Sequence, residues 1–344
     1  MTDKTADVRR LADLDAADEE TDGIAAARAL LGAHFGATPL VPAASLSSPG
    51  RSVYLKNETA LPTGSFKIRG AIYALQASLA QGTVKEVVAA STGNHGAAVA
   101  YAAKLLGIPA RIFLPRDSNP VKVARVREFG ATLVAEGRDL SAAIDAAARY
   151  VALTGAFFLN DASDPDIPLG AATIGAEIVE QLPSVNVVFV PMGDTALIRG
   201  VASALKRSGR PIRIIGVVAE AAPAYYLSWQ SGRVVETESA ATIADGLAVT
   251  RPLAPNVSAI RRLVDEVVTV TEDEMIDAIA RLRSGEGILA EPSGAAAVAA
   301  LLRDTDRTGA CVALVTGGNI SPDVERRVVV ERAHEDRAGI RIPT

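Results

Sequence analysis

A lysine with apolar neighbours is the first residue whose setting indicates covalent chemistry. Lys67 lies in PTGSFKIRGA, residues 62–71, between Phe66 and Ile68 and close to glycines on both sides. A lysine among apolar residues loses its proton more easily, and its neutral amine is then a nucleophile toward a carbonyl carbon. The segment therefore predicts an amine that bonds to an aldehyde, with burial against Phe66 favouring the unprotonated form.

Three loops rich in small residues accompany this lysine. They are STGNHG (91–96), PMGDTALIRG (191–200) and TGGNI (316–320). Each follows a predicted strand, and bare backbone N–H groups at a strand-to-helix turn bind carboxylate or phosphate. None has the Walker pattern or the three spaced glycines of a dinucleotide-binding loop. Together with Lys67, they indicate a phosphorylated aldehyde as the ligand.

Short apolar strands and amphipathic helices alternate along most of the chain and would position these loops. Strands such as KEVVAA, PARIFLP, NVVFVPMG and IRIIGVVAE are rich in Val and Ile and apolar on both faces. Parallel strands covered by helices on both sides have this composition. The pattern predicts an α/β protein with mainly parallel sheets. The Asp/Pro/Ser cluster in FLNDASDPDIPLG (158–170) interrupts the alternation and predicts a domain boundary there.

Composition excludes several classes of function. The 344 residues are 49% hydrophobic and 22% charged, as in an ordinary globular protein, and the formal charge of −5 disfavours nucleic acid as a partner. Cys311 is the single cysteine, so no intramolecular disulfide is expected, and three histidines leave little material for a zinc site. Residues 1–22 form an acidic polar lead rather than a secretory signal, and no apolar run reaches the length of a membrane span. We therefore expect a cytoplasmic protein.

The lysine segment and the first and third loops occur in an order and spacing that resemble the fold type II pyridoxal-phosphate enzymes, which include threonine and serine dehydratases and serine racemase. The resemblance runs from TPLV (38–41) to TGGNI, with supporting segments at 164–178, 242–249 and 291–297. It implies a tryptophan synthase β-like fold with two open, mostly parallel α/β domains and the cofactor in the cleft. The large cofactor-binding domain would comprise 23–85 plus 163–335, and the small substrate-carboxylate domain 86–162.

Carried over residue by residue, the resemblance implies that Lys67 forms a Schiff base with pyridoxal 5'-phosphate and later moves the Cα proton. Phe66 would lie against the cofactor ring, and Asn94 would hydrogen-bond its oxygen substituent. Thr316 would face the pyridine nitrogen. The other implied contacts are Gly193, Asp194, Thr195, Ala196 and Leu197 to the phosphate, Glu291 to the ring, and Ser91, Thr92, Gly93, Asn94 and His95 to the substrate.

The sequence departs from its relatives at three places. The phosphate loop reads Gly193-Asp194-Thr195-Ala196 where dehydratases and racemases carry a run of glycines, so a carboxylate lies beside the expected dianion. Thr92 occupies the position of the racemase's second acid/base, which is a serine, and is a candidate catalytic residue here. The carboxylate that binds a divalent cation in several relatives is replaced by Val218, so we expect no metal site.

The resemblance implies an ammonia-lyase that converts a β-hydroxy amino acid, such as L-threonine or L-serine, to a 2-oxo acid and ammonia. As a subgroup, the resemblance suggests the hydroxyectoine-utilisation or phenylserine dehydratases. A hydroxyl at the pyridine nitrogen cannot supply a full proton, which favours expulsion of a β-leaving group over transamination. The alternatives are a racemase, a β-replacement synthase or a non-catalytic ligand-binding relative. By analogy with the relatives, we expect a homodimer.

Overall fold

The computed structural model describes residues 23–91, 93–118 and 120–329, and within it the strands form two sheets. The larger sheet has the spatial order β1–β2–β10–β7–β8–β9, and all its neighbours are parallel except the antiparallel pair β1–β2. Its strands are β1 (Leu40–Pro42), β2 (Arg51–Asn57), β7 (Val185–Pro191), β8 (Arg213–Ala219), β9 (Glu266–Val270) and β10 (Gly309–Val315).

The smaller sheet is wholly parallel and has the order β5–β4–β3–β6. Its strands are β3 (Val87–Ala90), β4 (Ala110–Leu114), β5 (Thr132–Ala135) and β6 (Phe157–Phe158). Two mainly parallel sheets confirm the predicted α/β class. All four strands fall within the predicted small domain, 86–162, but the exact division of the chain stays a prediction. Residues 1–22 and 330–335 lie outside the described residues.

Helices cover both faces of the sheets. They are α1 (described over 23–32), α2 (Lys67–Gln81), α3 (Asn94–Leu106), α4 (Pro120–Glu128), α5 (Leu140–Thr154), α6 (Ile167–Gln181), α7 (Ala196–Arg207), α8 (Ala224–Ser231), α9 (Ala254–Leu263), α10 (Glu272–Gly285), α11 (Pro292–Arg303) and α12 (described over 322–329).

Local sequence signals account for many of the helix ends. Asp139 caps α5 through its side chain, and Thr271 forms a reciprocal capping box with Glu274 at the start of α10. Gly107 and Gly155 end α3 and α5 in the left-handed conformation. The central strands β7, β8 and β10 are buried over most of their length between two apolar clusters, one on each face of the larger sheet. The loops that follow β7 and β10 therefore start from buried, well-packed strands.

Candidate active site

Lys67 is the first residue of α2, and the turn before it is bound to the loop that follows β10. The backbone N–H of Phe66 donates to the carbonyl oxygen of Thr316 at 3.0 Å, and Ser65 forms an isolated antiparallel bridge with Gly317. The lysine segment and the third predicted loop are therefore neighbours in the fold, although they lie far apart in the sequence.

A buried ion network anchors the first turn of α2 through Arg69. Arg69 Nε donates to Glu58 Oε2 at 2.7 Å, and its Nη1 donates to Glu177 Oε1 at 2.6 Å. Lys56 Nζ donates to the other oxygen of Glu177 at 2.6 Å and to the Thr38 carbonyl at 2.8 Å. All four charged side chains are buried. Two cations balance two carboxylates, and this network supports the helix turn that carries Lys67.

A cavity of about 410 Å³ opens where β3, β7 and β10 end. It brings together most of the predicted site residues from five separate segments of the chain. Ala196 is buried as the first residue of α7 rather than lining the cavity, and Thr92 lies outside the described residues. The predicted residues that line the cavity are Phe66, Lys67, Ser91, Gly93, Asn94, His95, Gly193, Asp194, Thr195, Leu197, Glu291 and Thr316.

Two carboxylates flank the amine of Lys67. Its Nζ donates to Asp161 Oδ2 at 2.5 Å and to Asp194 Oδ2 at 3.0 Å, and it lies 5.4 Å from the centroid of the Phe66 ring. Burial lowers the pKa of Lys67, but the attraction of the two carboxylates outweighs burial and raises the pKa above its usual value. Burial thus acts in the predicted direction, but in this geometry the two carboxylates outweigh it and favour the protonated amine.

Asp161 was not among the predicted site residues. It lies between β6 and α6, in the segment interpreted from sequence only as a domain boundary. Its Oδ2 is 3.8 Å from Nδ1 of His95, whose Nε2 lies 2.9 Å from the carbonyl oxygen of Leu159. Because a carbonyl only accepts, Nε2 carries a hydrogen and Nδ1 faces the carboxylate. Burial raises the pKa of Asp161, but His95 and Lys67 outweigh it and hold the pKa well below its usual range.

The phosphate loop turns sharply into α7. Thr195 has φ of +78° and is the one non-glycine in the left-handed region among the described residues. Its Oγ1 is buried and, within that same part of the chain, has no hydrogen-bond partner. A Cβ on Gly193 would lie 2.1 Å from the carbonyl oxygen of Gly246, so only glycine fits there. A helix start with an unpaired buried hydroxyl suits a phosphate, and on this observation the residues fit the expected cofactor.

A carboxylate and an arginine add charge to this loop. Asp194 Oδ1 accepts a hydrogen bond from the backbone N–H of Ala196 at 3.0 Å, and burial and the nearby Asp161 raise the pKa of Asp194. Arg199 lies one turn into α7, and no partner among the described residues reaches its buried Nε and Nη2. Burial lowers the pKa of Arg199, against the attraction of Asp194. Sequence reasoning missed Arg199, although a charge so early in an apolar helix was the available signal.

Asn94 begins α3, and its side-chain amide is fixed on both sides. Nδ2 donates a short hydrogen bond to Glu291 Oε1, and Oδ1 accepts from Asn319 Nδ2 at 2.8 Å. Asn319 also donates to the carbonyl of Thr63 at 2.9 Å, just before the lysine turn. The structure thus brings together Asn94 and Glu291, which were predicted from distant segments. The part played by Asn319 was not predicted.

The first loop presents a helix start to the cavity. The backbone N–H of Gly93 donates to Ser91 Oγ at 3.1 Å, and α3 begins at the next residue. The unpaired N–H groups of a helix start and the positive end of its dipole attract an anion. This geometry suits a carboxylate, and the role of residues 91–95 in substrate binding stays a prediction.

Val218, at the position where several relatives bind a divalent cation, is buried in β8. Across residues 23–91, 93–118 and 120–329, no three His, Cys, Asp or Glu side chains are grouped so that they could hold a metal ion. In the same ranges, no helix has both the length and the apolar character needed to cross a bilayer. The lack of a metal requirement stays a prediction.

Comparison with known proteins agrees with this geometry. Residues 31–317 match the family described as pyridoxal-phosphate dependent enzyme. The chain is 41% identical to an L-threonine ammonia-lyase of Geobacter sulfurreducens, over 82% of this chain and 71% of the relative. Its fold is similar to that of maize serine racemase, with a TM-score of 0.84, 30% identity and coverage of 92% and 98% of the two chains. Tomato threonine deaminase isoform 2 gives a TM-score of 0.86 and 29% identity, over 92% and 89%.

Proposed function

Because the chain belongs to the pyridoxal-phosphate dependent enzymes of fold type II, we propose that it is an ammonia-lyase acting on a β-hydroxy amino acid such as L-threonine or L-serine. The products are a 2-oxo acid and ammonia. One observation carries the proposal: Lys67, the phosphate-type loop and the start of α3 converge on a single cavity. The 41% identity to a protein named L-threonine ammonia-lyase supports the same reaction.

The proposed cofactor contacts come from all three loops. Lys67 would hold pyridoxal phosphate covalently, and residues 193–197 would surround the phosphate at the start of α7. Phe66, Asn94 and Thr316 would contact the ring, with Glu291 beside them. When bound, the cofactor supplies an aldehyde carbon and an electron-withdrawing ring that makes the Cα–H bond of an attached amino acid acidic.

The chain's own groups then orient the substrate and move its proton. The start of α3 binds the α-carboxylate through residues 91–95, which points the Cα–H bond toward Lys67. Once the substrate amine has replaced Lys67 on the aldehyde carbon, the freed Lys67 amine would remove the Cα proton, and the β-hydroxyl would take up a proton from a nearby acid and leave the neighbouring carbon as water. Thr316 offers a hydroxyl rather than a carboxylate to the pyridine nitrogen, which favours elimination over transamination. Hydrolysis of the eliminated product gives the 2-oxo acid and ammonia.

A product assay tests this function. Purified protein supplied with pyridoxal phosphate should release 2-oxobutanoate and ammonia from L-threonine, or pyruvate and ammonia from L-serine. Lys67→Ala should lose both turnover and the visible absorbance of the covalently held cofactor, because no other described amine lies at the cavity's reactive position. A variant that retained turnover would refute the role of Lys67. Release of a D-amino acid, or a thioether formed with an added thiol, would assign a racemase or a β-replacement synthase instead.

We also propose that the enzyme works as a homodimer in the cytoplasm. The support is the resemblance to relatives that are mostly dimers and the single, buried cysteine, Cys311, which suits a reducing compartment. Sedimentation equilibrium of the purified protein would give a mass near twice 35.6 kDa if the dimer is correct. A mass of one chain at micromolar concentration would refute it.

A further inference from the structure

The cavity around Lys67 is rich in carboxylates. Its titratable lining residues are Lys67, His95, Asp161, Asp194, Tyr225, Asp245, Arg251 and Glu291. Four of these are carboxylic acids, and the basic side chains among them are Lys67, His95 and Arg251. Arg251 is 78% exposed and faces Glu236 at 3.6 Å, so solvent and this partner weaken its effect on the interior. At the Lys67 amine itself, the two carboxylates of Asp161 and Asp194 face a single nitrogen.

Asp161 is the carboxylate closest to the reacting nitrogen. Its Oδ2 lies 2.5 Å from Lys67 Nζ, and its side chain keeps 23% exposure at the cavity. A Cα proton that Lys67 removes must come within hydrogen-bond reach of Nζ. The Cβ substituents are one bond further from Cα than this proton, in the cavity that Asp161 also lines.

The described lining offers an anion site for the α-carboxylate at the start of α3, through Ser91, Gly93 and Asn94. A second carboxylate, on Cβ, would instead face Asp161 and Asp194. A β-hydroxyl at the same place can donate a hydrogen bond to the Asp161 carboxylate. Repulsion in the first case and a hydrogen bond in the second are distinguished by one negative charge on the substrate side chain.

We infer that Asp161 determines substrate specificity: it accepts a hydrogen bond from the β-hydroxyl of substrates with uncharged side chains and excludes amino acids that carry a side-chain carboxylate. The inference rests on the proposed function, because it concerns the same cavity and the same reacting carbon. Like charges a few ångströms apart in a partly desolvated site discriminate by about 10- to 100-fold.

A binding experiment without turnover tests the charge effect. L-Asparagine and L-aspartate have nearly the same shape, lack a β-hydroxyl and differ in side-chain charge. Titration of the cofactor-loaded protein, followed by the cofactor's absorbance, should give a dissociation constant about 30-fold lower for L-asparagine. In Asp161→Asn this ratio should fall below about threefold, mainly through tighter binding of L-aspartate. A wild-type ratio near one would overturn the inference.

A matched variant separates the local effect of the Asp161 charge from the effect of the protein's net charge. Asp145→Asn removes the same charge from an exposed position of α5 and should leave the wild-type ratio unchanged. Asp161→Ser provides a second neutral variant should the asparagine variant fold poorly. The inference is refuted if Asp145→Asn narrows the ratio as much as Asp161→Asn does. It is equally refuted if both neutral variants keep the wild-type ratio.

Turnover gives an independent measure and separates this inference from the proposed function. L-Threonine and L-threo-3-hydroxyaspartate lose the same β-hydroxyl, and the wild-type kcat/KM should favour L-threonine by about 100-fold. Asp161→Asn should narrow that preference at least tenfold. If no β-hydroxy amino acid is turned over but the asparagine/aspartate ratio behaves as expected, the ammonia-lyase proposal fails and the specificity role stands. If turnover occurs with no preference, the specificity role fails alone.

Discussion

Replacing Glu177 by glutamine tests whether the buried ion network supports the lysine-bearing helix. The carboxylate accepts from Arg69 at 2.6 Å and from Lys56 at 2.6 Å, and both cations are almost wholly buried. The glutamine side chain keeps the shape but removes the charge, which leaves two buried cations facing the single carboxylate of Glu58. Breaking one partner of a buried ion pair costs about 3–5 kcal/mol.

Urea unfolding of the cofactor-free protein measures that cost. A loss of about 3–5 kcal/mol is a large part of the 5–15 kcal/mol that typically stabilises a native protein. Glu180→Gln is the matched control, because Glu180 lies three residues further along the same helix but pairs with Arg28 at the surface, where both side chains are about half exposed. An exposed pair contributes about 0–1 kcal/mol. The reasoning is refuted if the two variants lose the same unfolding free energy.

The difference in unfolding free energy between wild type and Glu177→Gln should depend on pH through the carboxylate of Glu177. Burial raises the pKa of Glu177, but its hydrogen bonds and attraction to Arg69 and Lys56 outweigh burial and lower the pKa. A group whose pKa is lower in the folded state stabilises the fold above its unfolded pKa of about 4.3. The contribution is lost as the pH falls from that value through the folded pKa. The gap between wild type and Glu177→Gln should therefore be full at pH 7 and shrink below about pH 4.

Two further substitutions probe the phosphate loop. Gly193→Ala should destabilise the fold by about 1–3 kcal/mol in urea unfolding, because the added Cβ meets the Gly246 carbonyl. The control Gly32→Ala, which has open space around it, should be neutral. Equal unfolding free energies of the two variants would contradict this prediction. Asp194→Asn should bind pyridoxal phosphate about tenfold more tightly in a fluorescence titration, because it removes a negative charge beside a dianion and frees Lys67 from one carboxylate. Weaker binding would show that Asp194 supports the cofactor instead.

The alternation of apolar strands and helices was enough to predict the fold class, because strands buried on both faces leave continuous apolar runs in the sequence. It could not reveal β1 (Leu40–Pro42) or β6 (Phe157–Phe158). These strands have three and two residues, too few for a periodic pattern. They exist because neighbouring strands offer unpaired backbone groups: β1 pairs with β2, and β6 with β3.

The site was predictable wherever a contiguous segment carries the information. The lysine segment and the loops after β3, β7 and β10 are such segments, and the structure gathers them at one cavity. Asp161 could not be found this way, since its significance depends on the lysine and histidine that distant elements place beside it. The net direction of the pKa shift of Lys67 could not be predicted for the same reason. Its apolar sequence neighbours favour a neutral amine, while two carboxylates from other loops reverse the balance.

The contacts of Asp194 explain how a carboxylate fits into a loop where relatives carry glycine. It occupies two contacts that a phosphorylated aldehyde also needs: the Ala196 N–H at the start of α7 and the amine of Lys67. A phosphate that takes the helix start repels Asp194, and an Asp194 that leaves Lys67 no longer raises the pKa of the lysine. Arg199, on the same helix, attracts the displaced charge. Phosphate binding and deprotonation of the nucleophile are thus expected to be coupled through one carboxylate, so the pH dependence of cofactor capture should shift toward lower pH in Asp194→Asn.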